Sequence, residues 1–365
     1  MDVVIRAAIL GTGWMAHEHA LALSTIPGVA VVAVSSGIPE RAQRFATQHN
    51  IRTAADHATL VESPDVDVVH VCTKNSEHFQ LCLSALEHAK HVVAEKPLAT
   101  TSDETLVLLQ RAEAASLVHA CNFNYRGYPL IQHARALIQR GEIGDVYLAH
   151  GAYTQDWLLH ATDHNWRLNQ TEAGLSAAVA DIGSHWFDLV EHVTNCAITS
   201  VSGRLRAAVP ERRMGANGAW HAAELDDCGV ISFELNNSGI GSLVVSQVSA
   251  GRKNHLWFEV SGSKASLAWS QEDPDRLWLG RRDGANQWLM RDATMTPDDP
   301  LPAGHVFGWR DALVRTMASV YQRILDPRVM PPVTYATFAD GHRTLKLIEA
   351  IVRSSSTERT SVPIA

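Results

Sequence analysis

No stretch of this 365-residue chain is apolar for long enough to span a bilayer, so no membrane helix is expected. A basic block is also missing. The net charge is −8, with 31 Lys and Arg against 39 Asp and Glu, which argues against a nucleic-acid partner. Cysteine is sparse: five residues (72, 82, 121, 196 and 228), an odd number with no C-x-x-C pattern. Cys72, Cys82 and Cys121 fall in apolar strand or helix patterns, where a free thiol behaves as a small hydrophobe. That usage predicts a reducing, cytoplasmic setting. Residues 1–10 carry Asp2 and Arg6 and run into a glycine turn, which reads as a strand and not as a signal peptide. Nineteen histidines are scattered. His160 and His164 are four apart, but Thr162, Asp163 and Asn165 read as loop and no third ligand follows at ligand spacing, so no metal site is expected. Repeats and low-complexity linkers are absent.

What is present begins at the first strand. Residues 3–10 are apolar and β-rich and end in Gly11-Thr12-Gly13-Trp14-Met15-Ala16, with a helix expected over 14–25. The spacing is G-x-G-x-x-A. Gly11 permits a tight turn, Gly13 lets backbone approach a pyrophosphate, and Ala16 lets the helix pack close to the sheet. The helix start then offers unpaired N–H groups and a positive dipole end to phosphates. A second strand over 29–34 ends in Ser35-Ser36-Gly37, where dinucleotide folds usually place an acid for the adenosine ribose. Without that carboxylate a 2′-phosphate is not repelled. Ser35 and Ser36 can donate to it and Arg41 can pair with it, although Arg41 reads equally as an ordinary solvated helix residue. The cofactor expectation is NAD(P), leaning to NADP.

Strand and helix continue to alternate with short turns, which argues a doubly wound parallel sheet. A third strand over 66–73 leads into Thr73-Lys74-Asn75-Ser76-Glu77-His78, with Asn75 and His78 at the start of the next helix. His91-Val92-Val93-Ala94 is a buried strand that closes on Glu95-Lys96-Pro97. Proline holds the residue before it in extended geometry, so Lys96 is fixed at the strand's carboxyl end, where ligands bind in open α/β sheets. Taken alone, the tripeptide reads equally as a surface lysine paired with Glu95. A helix over 102–115 with Ser102 as N-cap and a fifth strand over 117–121 complete this half.

The second half alternates in strand fashion over 146–153, 198–207, 229–234, 239–246, 256–261 and 266–269, which predicts a mixed or antiparallel sheet of at least five strands. Helices are expected over 129–140, 310–325 and 338–354. Asp181 and His185 are four apart and share a helix face, a pattern that suits a proton shuttle beside an orienting carboxylate. The bland alternative is an N-cap and a satisfied core histidine. Tyr125, Arg126, Gln155, Trp157, Trp166 and Arg167 supply the flat faces and bidentate polar groups that a sugar site needs, although Trp157 and Trp166 also suit a plain core.

In this order, G-x-G-x-x-A, Thr73-x-Asn75-x-x-His78, Glu95-Lys96-Pro97 and Asp181-x-x-x-His185 resemble the glucose–fructose oxidoreductase/inositol dehydrogenase (Gfo/Idh/MocA) family over essentially the whole chain. Residues 123–167 look most like its levoglucosan and sugar 3-dehydrogenases. The resemblance implies a Rossmann domain over 1–122 and an α+β domain with a large open-faced sheet over 123–365. It also implies homodimers or homotetramers that pair through that sheet. Lys96, Asp181 and His185 are then the catalytic residues. Gly11, Thr12, Gly13, Trp14, Met15, Ser35, Ser36, Gly37, Arg41, Thr73, Asn75, His78, Glu95 and Lys96 meet the cofactor. Lys96, Tyr125, Arg126, Gln155, Trp157, Trp166, Arg167, Asp181 and His185 meet a sugar or sugar derivative. The Lys96–Pro97 bond is often cis in relatives. Lys74 replaces the proline usual before Asn75, and the Ser-Ser-Gly tip departs from the usual acid. Arg126, Arg167 and Lys74 suit an anionic substrate or structural ion pairs alike. The expected reaction is hydride transfer from a secondary hydroxyl. The alternatives are a redox-neutral glycosidase working by transient oxidation at C3 and a cofactor-sensing binding protein.

Overall fold

The computed structural model describes residues 4–214, 218–295, 301–326, 328, 334–357 and 361–364. Residue 3, expected to open the first strand, lies outside them. The first elements are β1 (Ile5–Leu10), α1 (Trp14–Leu23), β2 (Val29–Ser35), α2 (Pro39–His49), β3 (Thr53–Ala55), α3 (His57–Glu62), β4 (Val68–Val71), α4 (Asn75–Glu87), β5 (His91–Ala94), α5 (Ser102–Ala114) and β6 (His119–Cys121). They form a six-stranded parallel sheet in the order β3-β2-β1-β4-β5-β6. This is the Rossmann order, and it reverses between β1 and β4, where a crevice opens beyond the carboxyl ends of the strands. The short β3 was not expected. Only Thr53, Ala54 and Ala55 pair with β2, too few for an alternating pattern to register. The cap of α5 also lies one residue earlier than expected. Thr101 accepts from the Glu104 backbone N–H at 3.3 Å, and Glu104 returns the bond to Thr101 N at 3.1 Å, a reciprocal box that Ser102 cannot make.

The elements that follow are α6 (Pro129–Gln139), β7 (Val146–Thr154), α7 (Gln170–Ala173), α8 (Ser184–Thr194), β8 (Ile198–Arg206), β9 (Glu211–Met214), β10 (Ala219–Ala222), β11 (Cys228–Leu235), β12 (Ile240–Ser246), β13 (His255–Gly262), β14 (Ala265–Ser270), β15 (Arg276–Arg281), β16 (Gln287–Met290), α9 (Trp309–Leu325), α10 (Phe338–Thr357) and β17 (Val362–Pro363). A nine-stranded sheet runs β16-β15-β14-β13-β7-β12-β11-β8-β17, with β7 and β12 parallel and the other neighbours antiparallel. One face is core: Ile231, Phe233, Leu243, Val245, Phe258 and Val260 are buried there. Helix α8 supplies Trp186, whose ring lies 5.8 Å from Phe233 and whose indole N–H donates to Trp257 O at 2.9 Å. Gly151 makes that approach possible, because a Cβ there would collide with the Trp257 carbonyl and the Trp186 indole. The residues between them in register are on the opposite face, where Val230, Ile240, Val244 and Trp288 remain exposed.

The chain divides into two compact units, 1–127 with 309–343, and 128–308 with 344–365. This differs from a single cut at 122/123. The reason is hydrophobic burial. Leu313, Met317, Val320 and Tyr321 of α9 share a core with Ile5, Ala7, Val68 and Val93 of the parallel sheet, so a segment distant in sequence completes the first unit. Cys72, Cys82 and Cys121 are buried free thiols in that unit. Among the described residues no helix is long and apolar enough to cross a membrane.

Candidate active site

In the first unit the turn after β1 has the geometry a pyrophosphate needs. Gly11 has φ +112, and a Cβ on it would meet Cys72 O at 2.5 Å, so no other residue fits. Gly13 is the N-cap of α1, where no side chain caps the helix and no acid occupies the first turn. A Cβ on Gly13 would meet no protein atom within 4 Å. The room beside it and the uncapped N–H groups therefore fit a dinucleotide phosphate bridge. Thr12 and Met15 are half-buried in this turn. Trp14 is exposed and stacks on Trp309 with centroids 5.1 Å apart.

At the tip of β2 no carboxylate is present. Ser35 is buried, and its Oγ lies 2.7 Å from His57 Nδ1, so its hydroxyl is engaged by the protein. Burial lowers the pKa of His57 against the charges of Glu77 and Asp56. Ser36 Oγ accepts from Ile38 N at 3.2 Å, while Gly37 and Arg41 are exposed. Ser36 and Arg41 are thus better placed than Ser35 to meet a ligand.

The carboxyl ends of β4 and β5 hold the next group. The Lys96–Pro97 peptide is cis. His78 is buried with Nδ1 2.8 Å from Pro97 O and Nε2 3.3 Å from Thr73 O. The Nδ1 contact ties the first turn of α4 to the Pro97 carbonyl and fixes the ring beside the two strand ends. Burial lowers its pKa, and the shorter contact takes the ring proton. Thr73 Oγ1 is buried with no partner among the described residues, and Asn75 is the first residue of α4. Lys96 is half-buried. Glu95 points into the protein, with Oε1 3.0 Å from His19 Nε2 and 2.6 Å from Asn122 Nδ2. Tyr125 and Arg126 are buried in the single turn Asn124–Gly127, and Arg126 Nη2 pairs with Asp340 Oδ1 at 2.9 Å. Of the two roles expected for Arg126, this is the structural ion pair.

The second unit gathers the other polar side chains. Asp181 sits in a π-helical turn, Val179–Gly183, that leads into α8. Such turns re-aim a side chain relative to a regular helix. The turn is anchored from outside: Asp226 accepts from Ala177 N at 3.0 Å and Val179 N at 3.3 Å. Burial raises the Asp226 pKa against these bonds. Asp181 Oδ1 lies 3.1 Å from Arg167 Nε, and Oδ2 accepts from Gln247 Nε2 at 2.9 Å. The Arg167 guanidinium stacks 4.4 Å above the Trp166 ring. His185, one turn on, is buried, with its ring 6.4 Å from that of Tyr153. Tyr153 Oη and Gln155 Nε2 both donate to Asn254 Oδ1, at 2.7 and 2.8 Å, and the Trp157 indole donates to Gln155 Oε1 at 2.7 Å. Asp181, His185, Arg167, Trp166, Gln155 and Trp157 thus belong to one unit, with Asp181 held by Arg167 and Gln247 and a second set of bonds joining Tyr153, Asn254, Gln155 and Trp157. Gln247, Asn254 and Asp226 were not anticipated. They sit at or just beyond strand ends and carry no spacing signal.

Two family models match the chain. One, described as an oxidoreductase family with an NAD-binding Rossmann fold, covers residues 5–123, and the other, the GFO/IDH/MocA C-terminal domain, covers 131–268. The chain belongs to the Gfo/Idh/MocA oxidoreductase family. Within it, levoglucosan dehydrogenase of Pseudarthrobacter phenanthrenivorans is 26% identical across 97% of this chain and 97% of that protein. Glucose-6-phosphate 3-dehydrogenase of Bacillus subtilis is 23% identical, covering 96% of each. A structure of levoglucosan dehydrogenase in complex with NADH and L-sorbose superposes with a TM-score of 0.93 at 25% identity, covering 100% of this chain and 99% of that one. As in the rest of the Gfo/Idh/MocA family, a dinucleotide domain here is joined to a domain with a large mixed sheet. Among the described residues no group of three or more His, Cys, Asp or Glu is placed to hold a metal.

Proposed function

We propose that the protein is an NAD(P)-dependent dehydrogenase acting on a secondary hydroxyl of a sugar or sugar derivative. The observation that carries this reading is the Asp181 carboxylate held by Arg167 and Gln247 one helical turn from His185, beside the aromatic and amide set Tyr153, Gln155, Trp157 and Asn254. That set offers fixed acceptors and donors for hydroxyls and flat faces for ring C–H groups. The relatives named for levoglucosan and glucose 6-phosphate support the substrate class.

The nicotinamide, when bound, accepts or returns the hydride. In this reading His185 takes the hydroxyl proton as the hydride leaves carbon. Lys96 stabilises the negative charge that develops on the oxygen, and Asp181 fixes the hydroxyl and the imidazole in register. Gly11, Thr12 and Gly13 hold the phosphates, with Trp14 and Met15 opening α1 beneath them. Thr73 and Asn75 line the nicotinamide side. The carboxylate-free β2 tip and the exposed Arg41 support acceptance of NADP, and the NADH-bound relative supports NAD. The buried free thiols support a cytoplasmic location. The exposed apolar side chains Val230, Ile240 and Val244 on the neighbouring strands β11 and β12 support pairing of two copies through the nine-stranded sheet.

The test is a panel of free sugars and chromogenic glycosides, each with NAD and with NADP, read for nicotinamide absorbance and for aglycone in one well. Stoichiometric reduced cofactor without aglycone is the expected result. Aglycone release without net reduction would instead establish the redox-neutral glycosidase.

A further inference from the structure

Behind the carboxyl end of β5 lies a set of polar side chains that the reaction as proposed does not use. Glu95 Oε1 takes contacts from His19 Nε2 at 3.0 Å and Asn122 Nδ2 at 2.6 Å. His19 Nδ1 is 2.9 Å from His70 Nδ1, and His70 Nε2 is 2.8 Å from the Tyr321 hydroxyl. Cys72 Sγ approaches His19 Nδ1 at 3.4 Å. These groups come from α1, β4, the ends of β5 and β6, and α9. His19, His70 and Tyr321 have no exposed surface. The run ends inside the core at Tyr321, so it does not lead a proton to solvent.

Its bonding is largely fixed by one end. A carboxylate only accepts, so His19 Nε2 carries a proton and donates to Glu95. Burial drives His70 well below the ordinary imidazole range, with His19 adding to the effect, so His70 is neutral. If His19 is neutral, its Nδ1 accepts from His70, and His70 accepts from the Tyr321 hydroxyl. If His19 is charged, those two far bonds reverse. The donor on Glu95 is the same in both cases.

We propose that His19 and Asn122 are positioning residues for Lys96, holding Glu95 as a fixed negative charge behind it, with His70 and Tyr321 keeping the His19 ring in place. The proposal rests on the reading of Lys96 given above. The balance of forces on Glu95 supports it. Burial pushes its pKa up, but the His19 and Asn122 bonds and the Lys96 charge outweigh burial and hold it at about 2. Without His19, burial loses its largest opponent, and the Asn122 bond and the Lys96 charge are left to oppose it with the neighbouring His78. Glu95 then takes up a proton more readily as pH falls, and the negative charge it sets beside Lys96 is weakened. Cys72, whose thiol burial and Glu95 push well up, stays neutral throughout. Tyr321 stays protonated too, raised by burial and by Asp67.

The experiment compares His19→Leu, His19→Gln and Asn122→Ala with the wild type in kcat from about pH 4.5 to 8, with NADH affinity by fluorescence at the top of that range. His19→Leu and Asn122→Ala should each lower kcat about 10- to 100-fold at the acid end, as expected for a lost bond to a charged group, and add an acid limb that the wild type lacks. His19→Gln, which can still donate to Glu95, should recover most of the wild-type profile. NADH affinity should stay within about twofold. Folded His19→Leu and Asn122→Ala variants with unmoved profiles would overturn the proposal. So would a uniform loss with no new limb and no recovery in His19→Gln. Where His19→Leu does not fold, Asn122→Ala decides by the same criterion. Full turnover in Lys96→Ala would sink the underlying site reading. An inactive Lys96→Ala beside unmoved His19 and Asn122 variants would sink the positioning role alone.

Discussion

Replacing Gln247 by leucine should separate activity from stability. Gln247 is fully buried at the end of β12, with its backbone N–H on Asp227 O at 2.8 Å and its carbonyl accepting from Leu158 N at 3.1 Å. Neither bond depends on the side chain. The amide does two things: Nε2 donates to Asp181 Oδ2 at 2.9 Å, while Oε1 is buried with no partner among the described residues. Removing the donor takes a charge-assisted bond from Asp181, worth about 1.5–3 kcal/mol. Removing the orphaned acceptor returns about 1–3 kcal/mol of desolvation penalty. The two offset, so the midpoint of chemical unfolding should shift by no more than about 1 kcal/mol equivalent. Activity has no such offset. Asp181 keeps Arg167 but loses the bond that fixes its second oxygen, and kcat/KM should fall about 10- to 100-fold. Steady-state kinetics with urea melts on one preparation measure both. A large loss of stability with kcat/KM unchanged would show that Gln247 is core packing and that Asp181 does not need it.

Lys96→Ala should lower kcat by about 100-fold or more while NADH binding, followed by fluorescence, stays close to wild type. Near-normal turnover would remove Lys96 from the reaction. Ser36→Asp restores a carboxylate at the β2 tip and should raise the KM for NADP about tenfold or more relative to NAD; an unchanged ratio would mean that the tip does not meet the ribose. Acid should weaken the fold through His119. Burial holds its pKa down to about 4, against the opposing charge of Asp340, and its Nδ1 accepts from Phe338 N at 3.0 Å. Unfolded chains take up this proton from about pH 6.5 downward and the native protein does not, so stability present above that pH is lost on the way to about 4, by up to about 3 kcal/mol. His119→Gln, which keeps an acceptor and does not titrate, should lose less urea resistance between pH 7 and 4.5, and equal losses would discount His119.

The dinucleotide turn was legible because its requirements are local. Gly11 needs a positive φ and Gly13 needs open space, and both conditions lie within three residues of a strand end. Lys96 was legible for the same kind of reason, since Pro97 marks where β5 stops. Arg126 was not. Its partner Asp340 is 214 residues away, and an arginine beside tyrosine and asparagine looks the same whether it awaits a substrate or a carboxylate of its own chain. The surroundings of Glu95 were hidden too, because His19, His70, Asn122 and Tyr321 meet only through the tertiary fold. Asp181 and His185 were found by helical spacing, but the π turn under Asp181 depends on contacts with Asp226 and Gln247 that no period reveals. β3 was missed because it is only three residues long.

The return of residues 309–343 to the first unit sets the timetable of synthesis. When residue 127 leaves the ribosome, all six parallel strands exist, yet His70 lacks Tyr321, Arg126 lacks Asp340, and the sheet face formed by Ile5, Ala7, Val68 and Val93 has no cover. Close to two hundred further residues must be made before α9 arrives. The nascent nucleotide-binding half therefore waits, partly exposed, on the last part of the message, and its gene segment cannot be moved between proteins as a contiguous cassette.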